Sequence, residues 1–200
     1  MYLPADQIPR DLNGRLWAQL IAPRPLALVS TQDGAGVKNI APFSSYAALS
    51  NYPPLIGLSF GLRPDDAEKR TLVNIRESGE FVVNLVPRYM AEIMTQSASH
   101  GEPEDDFFRL NVTPAPSETV APPRIVECPG ALECRLLQIV ALAPSKCEFV
   151  VAQVIGVYLR DEFASDEGFD PMAADLLASV GVEDYISLNG EVLTLPKTWE

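Results

Sequence analysis

Residues 24–60 read RPLALVSTQDGAGVKNIAPFSSYAALSNYPPLIGLSF, and residues 69–86 read KRTLVNIRESGEFVVNLV. In the first stretch, residues 25–32 (PLALVSTQ) have the apolar and β-branched content of a strand. Asp33-Gly34-Ala35-Gly36 supplies the residue types of a hairpin turn. Residues 37–43 (VKNIAPF) return as a second strand. Pro42 has no N–H to give a ladder, so it ends the pairing or sits at an edge. Residues 44–52 (SSYAALSNY) are expected to be a polar connection. After Pro53-Pro54, Leu55–Phe60 is a short apolar run suited to a buried strand. In the second stretch, Ala67–Ser78 is expected to be helical, with Asp65 or Asp66 of the loop Arg63–Asp66 as its cap. Gly79 stands where a left-handed residue commonly closes a helix, and Glu80–Val86 is the next strand.

Working outward, Pro87 to about Ser99 is expected to be a second helix, with Tyr89, Met90, Ile93 and Met94 on its apolar side. Residues 100–131 are proline-rich and acidic and suit mostly loop. Leu132–Leu142 and Cys147–Arg160 are two long strands around Pro144-Ser145-Lys146. The run Phe149–Leu159 is apolar enough to serve a dimer face as well as the core. Residues 171–179 suit a short helix, and Tyr185–Leu195 a terminal hairpin through Asn189-Gly190. Many strands with few short helices argue for a mainly β chain, a small antiparallel barrel or sandwich. No strand leads into G-x-G-x-x-G, and no P-loop pattern occurs, so neither nucleotide fold is expected.

Composition narrows the function. The chain has 200 residues, a length at which one domain over 1–200 buries roughly 70% of its unfolded surface without a metal or disulfide. A formal net charge of −12 opposes binding to nucleic acid or to an anionic membrane. It leaves room for a small anion where cations cluster. No apolar run reaches the length of a membrane span, and the N-terminus lacks a signal-peptide pattern. Three cysteines, Cys128, Cys134 and Cys147, suit reduced thiols in the cytoplasm. Cys128 and Cys134 read as small buried hydrophobes, a redox pair being the alternative. With one histidine, a Cys/His metal site is not expected.

Lys69, Arg70 and Thr71 fall at the start of the helix that precedes Gly79. Free N–H groups and the positive helix end favour an anion there. Either cation would add a charge-assisted contact, and Thr71 a hydroxyl. The triplet alone also fits a solvated helix start balanced by Glu68 and Asp66. Asn74 follows one turn after Thr71 on the same face. The loop Asn39 to Ser50 adds Asn39, Ser44, Ser45, Tyr46 and Ser50. Such a loop can hold a flat heterocycle through its backbone, or can satisfy only itself.

Taken together, RPLALVST, DGAGVKNIAPFSSYAALSNYPPLIGLSF and KRTLVNIRESGEFVVNLV resemble the flavin reductase-like, FMN-binding split-barrel family. VECPGALECRLLQIVAL and GVEDYISLNGEVLTLPK are similar to it too, so the likeness spans nearly the whole chain. The resemblance implies an antiparallel split β-barrel, a homodimer, and FMN near the subunit interface. It implies reduction of flavin, or electron transfer through it, with NADH or NADPH as donor. It places the ring and ribityl chain on Asn39, Ala41, Pro42, Phe43, Ser44, Ser45 and Tyr46, above Ser59. It places the phosphate on Lys69, Arg70 and Thr71, with Asn74, Thr31 and Arg24 as further candidates. Arg70 replaces the aspartate of the family's K-D-T motif, which either strengthens the phosphate contact or moves Lys69.

A second departure is that no histidine lies near the C-terminus, where many short reductases of the family meet nicotinamide. The only histidine, His100, reads as a loop residue. No catalytic side chain and no metal ligand are assigned, because a flavin carries the redox chemistry itself. The leading expectation is therefore an NAD(P)H:flavin reductase. The alternatives are an FMN-binding electron carrier or reservoir, and a barrel that binds only other proteins.

Overall fold

The structure, a computed structural model, describes residues 2–63, 65–99 and 104–192. Seven strands form the main sheet: β1 (Ala27–Gln32), β2 (Lys38–Phe43), β3 (Tyr46–Asn51), β4 (Pro54–Phe60), β5 (Glu80–Leu85), β6 (Gly130–Ala141) and β7 (Glu148–Leu159). Their order is β2-β1-β5-β6-β7-β4-β3, and every pairing is antiparallel. The two edge strands, β2 and β3, are neighbours in the chain, joined only by Ser44-Ser45. Three Cα steps span at most about 11 Å. The edges therefore meet at this end, and the sheet curls into a barrel split along the β2/β3 seam.

Local chemistry sets these elements. The Asp33 carboxylate accepts from the N–H groups of Ala35 and Val37, both at 2.9 Å, and Gly36 takes φ +86°. The β1–β2 hairpin thus follows the expected turn, and Pro42 lies on an edge strand. Residues 44–52 differ from expectation: Tyr46–Asn51 is a strand on β4, in register Tyr46↔Leu58 and Ala48↔Ile56. Ala47, Ala48 and Leu49 are exposed, so the strand carries no burial pattern and is held by its ladder.

Four helices are described: α1 (Arg10–Leu20), α2 (Arg70–Ser78), α3 (Ala91–Gln96) and α4 (Asp106–Arg109). α2 starts three residues later than expected, with Lys69 as its N-cap, because Asp66 adopts φ +61° and Asp65 spends its carboxylate on Ala67 N–H at 3.2 Å. It ends as expected on Gly79, φ +71°. The expected 87–99 helix is a 3₁₀ turn, Arg88–Met90, followed by α3.

The expected helix at 171–179 is a turn leading into β8 (Leu177–Ser179), which pairs with Arg24–Pro25 and with β9 (Tyr185–Ser187). A helix that short is marginal alone, and these ladders satisfy the backbone instead. The turn that joins these two strands lies between Ser179 and Tyr185. Residues 193–195 of the expected terminal hairpin lie outside the described residues, as does His100.

The barrel interior packs Val29, Phe43, Leu58, Phe60, Phe81, Val83 and Val150, closed by Leu72 and Ile75 of α2. A second core lies on the outer face of β1 and β2, where Leu28 and Ile40 meet Met90, Met94, Phe107 and Ile125. β1 is thus buried on both faces, which explains its near-continuous apolar run. No helix among the described residues is long and apolar enough to cross a membrane.

Candidate functional site

α2 begins without a side-chain cap. The Lys69 carbonyl accepts from Leu72 N at 2.9 Å and Val73 N at 3.2 Å. The N–H groups of Arg70 and Thr71 are left without helical partners, and the first turn holds no acid. Cations at the positive end of a helix oppose its dipole. An anion seated among them reverses that sign.

These groups line a cavity of about 610 Å³. Asn39, Ala41, Pro42, Lys69, Arg70 and Thr71 line it, as do Arg63, Ser97, Ser99 and Arg109. Its two carboxylates are already engaged. Glu68 accepts from Arg76 at 3.1 Å. Asp106 accepts from Arg109 at 2.7 Å and from Ile40 N at 2.8 Å.

The cations are less well served. Arg70 Nη1 donates to the Glu104 carbonyl at 3.1 Å, but its Nη2 is buried without a partner among the described residues. Arg63 Nε is buried in the same condition. Lys69 Nζ lies 5.3 Å from the Phe43 ring centroid and meets no carboxylate among the described residues. Loss of hydration lowers the Lys69 pKa below its ordinary value, weakly opposed by Cys147. Orphaned guanidinium nitrogens beside a dehydrated ammonium are what a phosphate dianion would satisfy.

A second cavity, of about 930 Å³, adjoins the first across Pro42 and Ala98, which line both. Phe43, Ser44 and Arg24 face it, opposite α1 and the turn 181–185. Arg24 donates to Ser44 Oγ at 2.8 Å, to Ser179 Oγ at 2.7 Å and to the Gly181 carbonyl at 2.8 Å. It thereby fixes the β2–β3 connection against the β8–β9 turn. Both volumes fall within the range of small-molecule sites.

The residues expected at the site thus separate by position. Asn39, Ala41, Pro42, Lys69, Arg70 and Thr71 line the first cavity, and Pro42, Phe43 and Ser44 the second. Thr31 and Asn74 are buried behind the first. Ser45, Tyr46 and Ser59 line neither cavity. Ser45 Oγ donates to the Ser59 carbonyl at 2.9 Å, which fastens the β2–β3 connection to β4. Tyr46 packs on the barrel core, and burial pushes its phenol up to about 12. Arg63 and Arg109 were not expected at the site. Arg63 is signalled only as a cation six residues before Lys69, and Arg109 by nothing local.

The flavin reductase like domain model matches residues 20–176 of this chain. An uncharacterized protein from Halalkalibacterium halodurans is 33% identical over 202 residues, covering 98% of this chain and 96% of the relative. Flavoredoxin of Desulfovibrio vulgaris (Miyazaki F) superposes with a TM-score of 0.77 at 26% identity, over 88% of this chain and 92% of its own. Nitrilotriacetate monooxygenase component B from Bacillus cereus superposes with a TM-score of 0.91, over 98% of each chain. At 23% identity, that likeness speaks to the fold alone.

Proposed function

Because the chain belongs to the flavin reductase-like family, we propose that it is an FMN-binding oxidoreductase, specifically an NAD(P)H:flavin reductase. The observation that carries this reading is the cavity at the start of α2, lined by Lys69 and by two arginines that each keep a buried guanidinium nitrogen without a partner among the described residues. Lys69, Arg70, Thr71 and Arg63 hold the phosphate ester. Asn39, Ala41, Pro42, Phe43 and Ser44 carry the ribityl chain and ring along β2, the strand wall shared by both cavities. Ser45, Tyr46 and Ser59 shape the seam beyond them.

A bound flavin supplies the hydride and electron chemistry. The chain's part is to bind, orient and exclude water. Arg24 holds Ser44 in place, and the apolar body of Phe43 and Pro42 dries the junction of the cavities. The larger cavity, open beside that junction, is where NADH or NADPH would approach. A homodimer belongs to the same reading, supported by the exposed Leu137 and Val157 on the long β6–β7 ribbon. Free cysteines support a reducing compartment such as the cytoplasm. Cys128 and Cys134 are buried, and burial raises both thiol pKa values, as inert core residues require.

Anaerobic addition of NADH, then NADPH, to the FMN-loaded protein tests the reaction. Bleaching of the oxidised flavin spectrum supports the reductase. A spectrum that stays oxidised with both donors, yet bleaches with dithionite, rejects it. That outcome favours the second reading, an electron carrier or flavin reservoir. Two observations support this alternative: the likeness to a flavoredoxin, and a C-terminal segment without histidine.

A further inference from the structure

Behind the α2 cavity lies a polar cluster where apolar packing would cost less. Thr31, Asn39, Thr71 and Asn74 are only 0%, 6%, 1% and 2% exposed. They meet where α2 crosses β1 and β2. Thr31 and Asn39 are direct partners across the β1–β2 ladder. Thr71 and Asn74 lie three residues apart on one helix face. Asn39 Nδ2 donates to Thr71 Oγ1 at 3.0 Å and to Thr31 Oγ1 at 3.3 Å. Asn74 Nδ2 donates to Thr31 Oγ1 at 3.0 Å.

Burying polar side chains is costly, and a satisfied buried network confers geometry more than stability. Here the geometry has a direction. Asn39 and Thr71 line the cavity, whereas Thr31 and Asn74 do not. The Asn39 amide donates to Thr71, so it occupies an acceptor site on that hydroxyl. Among the described residues, the Thr71 hydroxyl donates to nothing. Its proton remains available on the cavity side. Thr31 in turn accepts from both asparagine amides, which holds Asn39 in its donating orientation.

Building on the FMN reading above, we infer that Thr31, Asn74 and Asn39 form a relay that fixes Thr71 as a hydrogen-bond donor to the flavin's phosphate ester. Thr31 and Asn74 are then positioning residues and not ligands. The relay ends on the phosphate through Thr71, while Asn39 also borders the ribityl chain, so its loss weighs more on FMN than on riboflavin, which has the same ring and ribityl chain without the phosphate.

Affinities for FMN and riboflavin, each measured by flavin fluorescence, test this on the full chain. Thr31→Val keeps the shape and removes the shared acceptor. It is expected to weaken FMN binding about tenfold, the loss of roughly one hydrogen bond to a charged group, and to weaken riboflavin binding far less. Thr31→Ser is expected to restore FMN affinity. Asn74→Ala, a good helix former, is expected to repeat the loss and serves should Thr31→Val not fold. The double variant Thr31→Val/Thr71→Val is expected to bind FMN no more weakly than Thr71→Val alone, since both remove one donor. Equal losses for FMN and riboflavin, or unchanged FMN binding, overturn the relay. A wild-type chain that binds neither flavin overturns the functional reading itself, and the relay with it.

Discussion

Lys69 shows how a single residue is set up for its ligand. Its ammonium is partly stripped of water and lies against Phe43 with no carboxylate beside it among the described residues. Its lowered pKa means the charge is lost as pH rises, beginning below the ordinary lysine value of about 10.4. FMN affinity is therefore expected to begin falling at a pH below that ordinary value, and Lys69→Arg to shift that fall upward. A titration series at fixed salt measures this. Gly57 is a different case, set by space and not by charge. A Cβ there would overlap Phe149 Cζ and sit 2.7 Å from Cε1. Gly57→Ala is expected to destabilise by about 1–3 kcal/mol through overpacking. At this size that lowers the melting temperature by about 2–4 °C per kcal/mol, read by calorimetry. Nothing in the sequence flags Gly57, because its constraint comes from β7, some ninety residues away in the chain.

Among the elements, β6 carries a carboxylate that latches the 116–123 loop. Glu133 is 3% exposed and accepts from Glu118 N at 2.9 Å, Thr119 N at 2.7 Å and the Thr119 hydroxyl. Burial alone would raise its pKa, but these bonds and the Arg124 charge outweigh burial and lower it. A depressed carboxylate pKa adds stability above the unfolded value, near 4.3, that is lost as pH falls through the folded one. Glu133→Gln is expected to cost about 1–3 kcal/mol at neutral pH. It should also flatten the loss of melting temperature below about pH 4.3; an unchanged acid slope would remove Glu133 from the account. The latch is invisible in sequence because a single glutamate on a strand gives no sign that a loop 14 residues earlier folds back onto it. The strands β1, β2, β4 and β5 were legible, since apolar runs and turn chemistry agree there. β3 was not, because an edge strand held by its ladder shows no alternation. The 171–179 segment misled for a related reason: Ala173–Leu177 has helix-forming residues, and sheet pairing overrides them.

For the whole molecule, the net charge of −12 and the cation-lined cavity are complementary facts. The chain is acidic as a whole, while the packing of α2 on β2 concentrates positive charge in one place. The mainly β architecture could be read from strands along the whole chain, including 132–142 and 147–160, and the Lys69–Thr71 part of the candidate site from the start of one helix. Arg63 and Arg109, and the separation of the site into two cavities, required the fold. The central claim is that this cavity holds the phosphate of FMN. An equilibrium FMN titration of the wild-type chain against Lys69→Ala/Arg70→Ala tests it most directly, with circular dichroism to show that both are folded. Saturable binding by the wild type, weakened more than about tenfold in the double variant, is the result predicted from two lost charge-assisted contacts. Equal affinity in both, or no binding by the wild type, would contradict it.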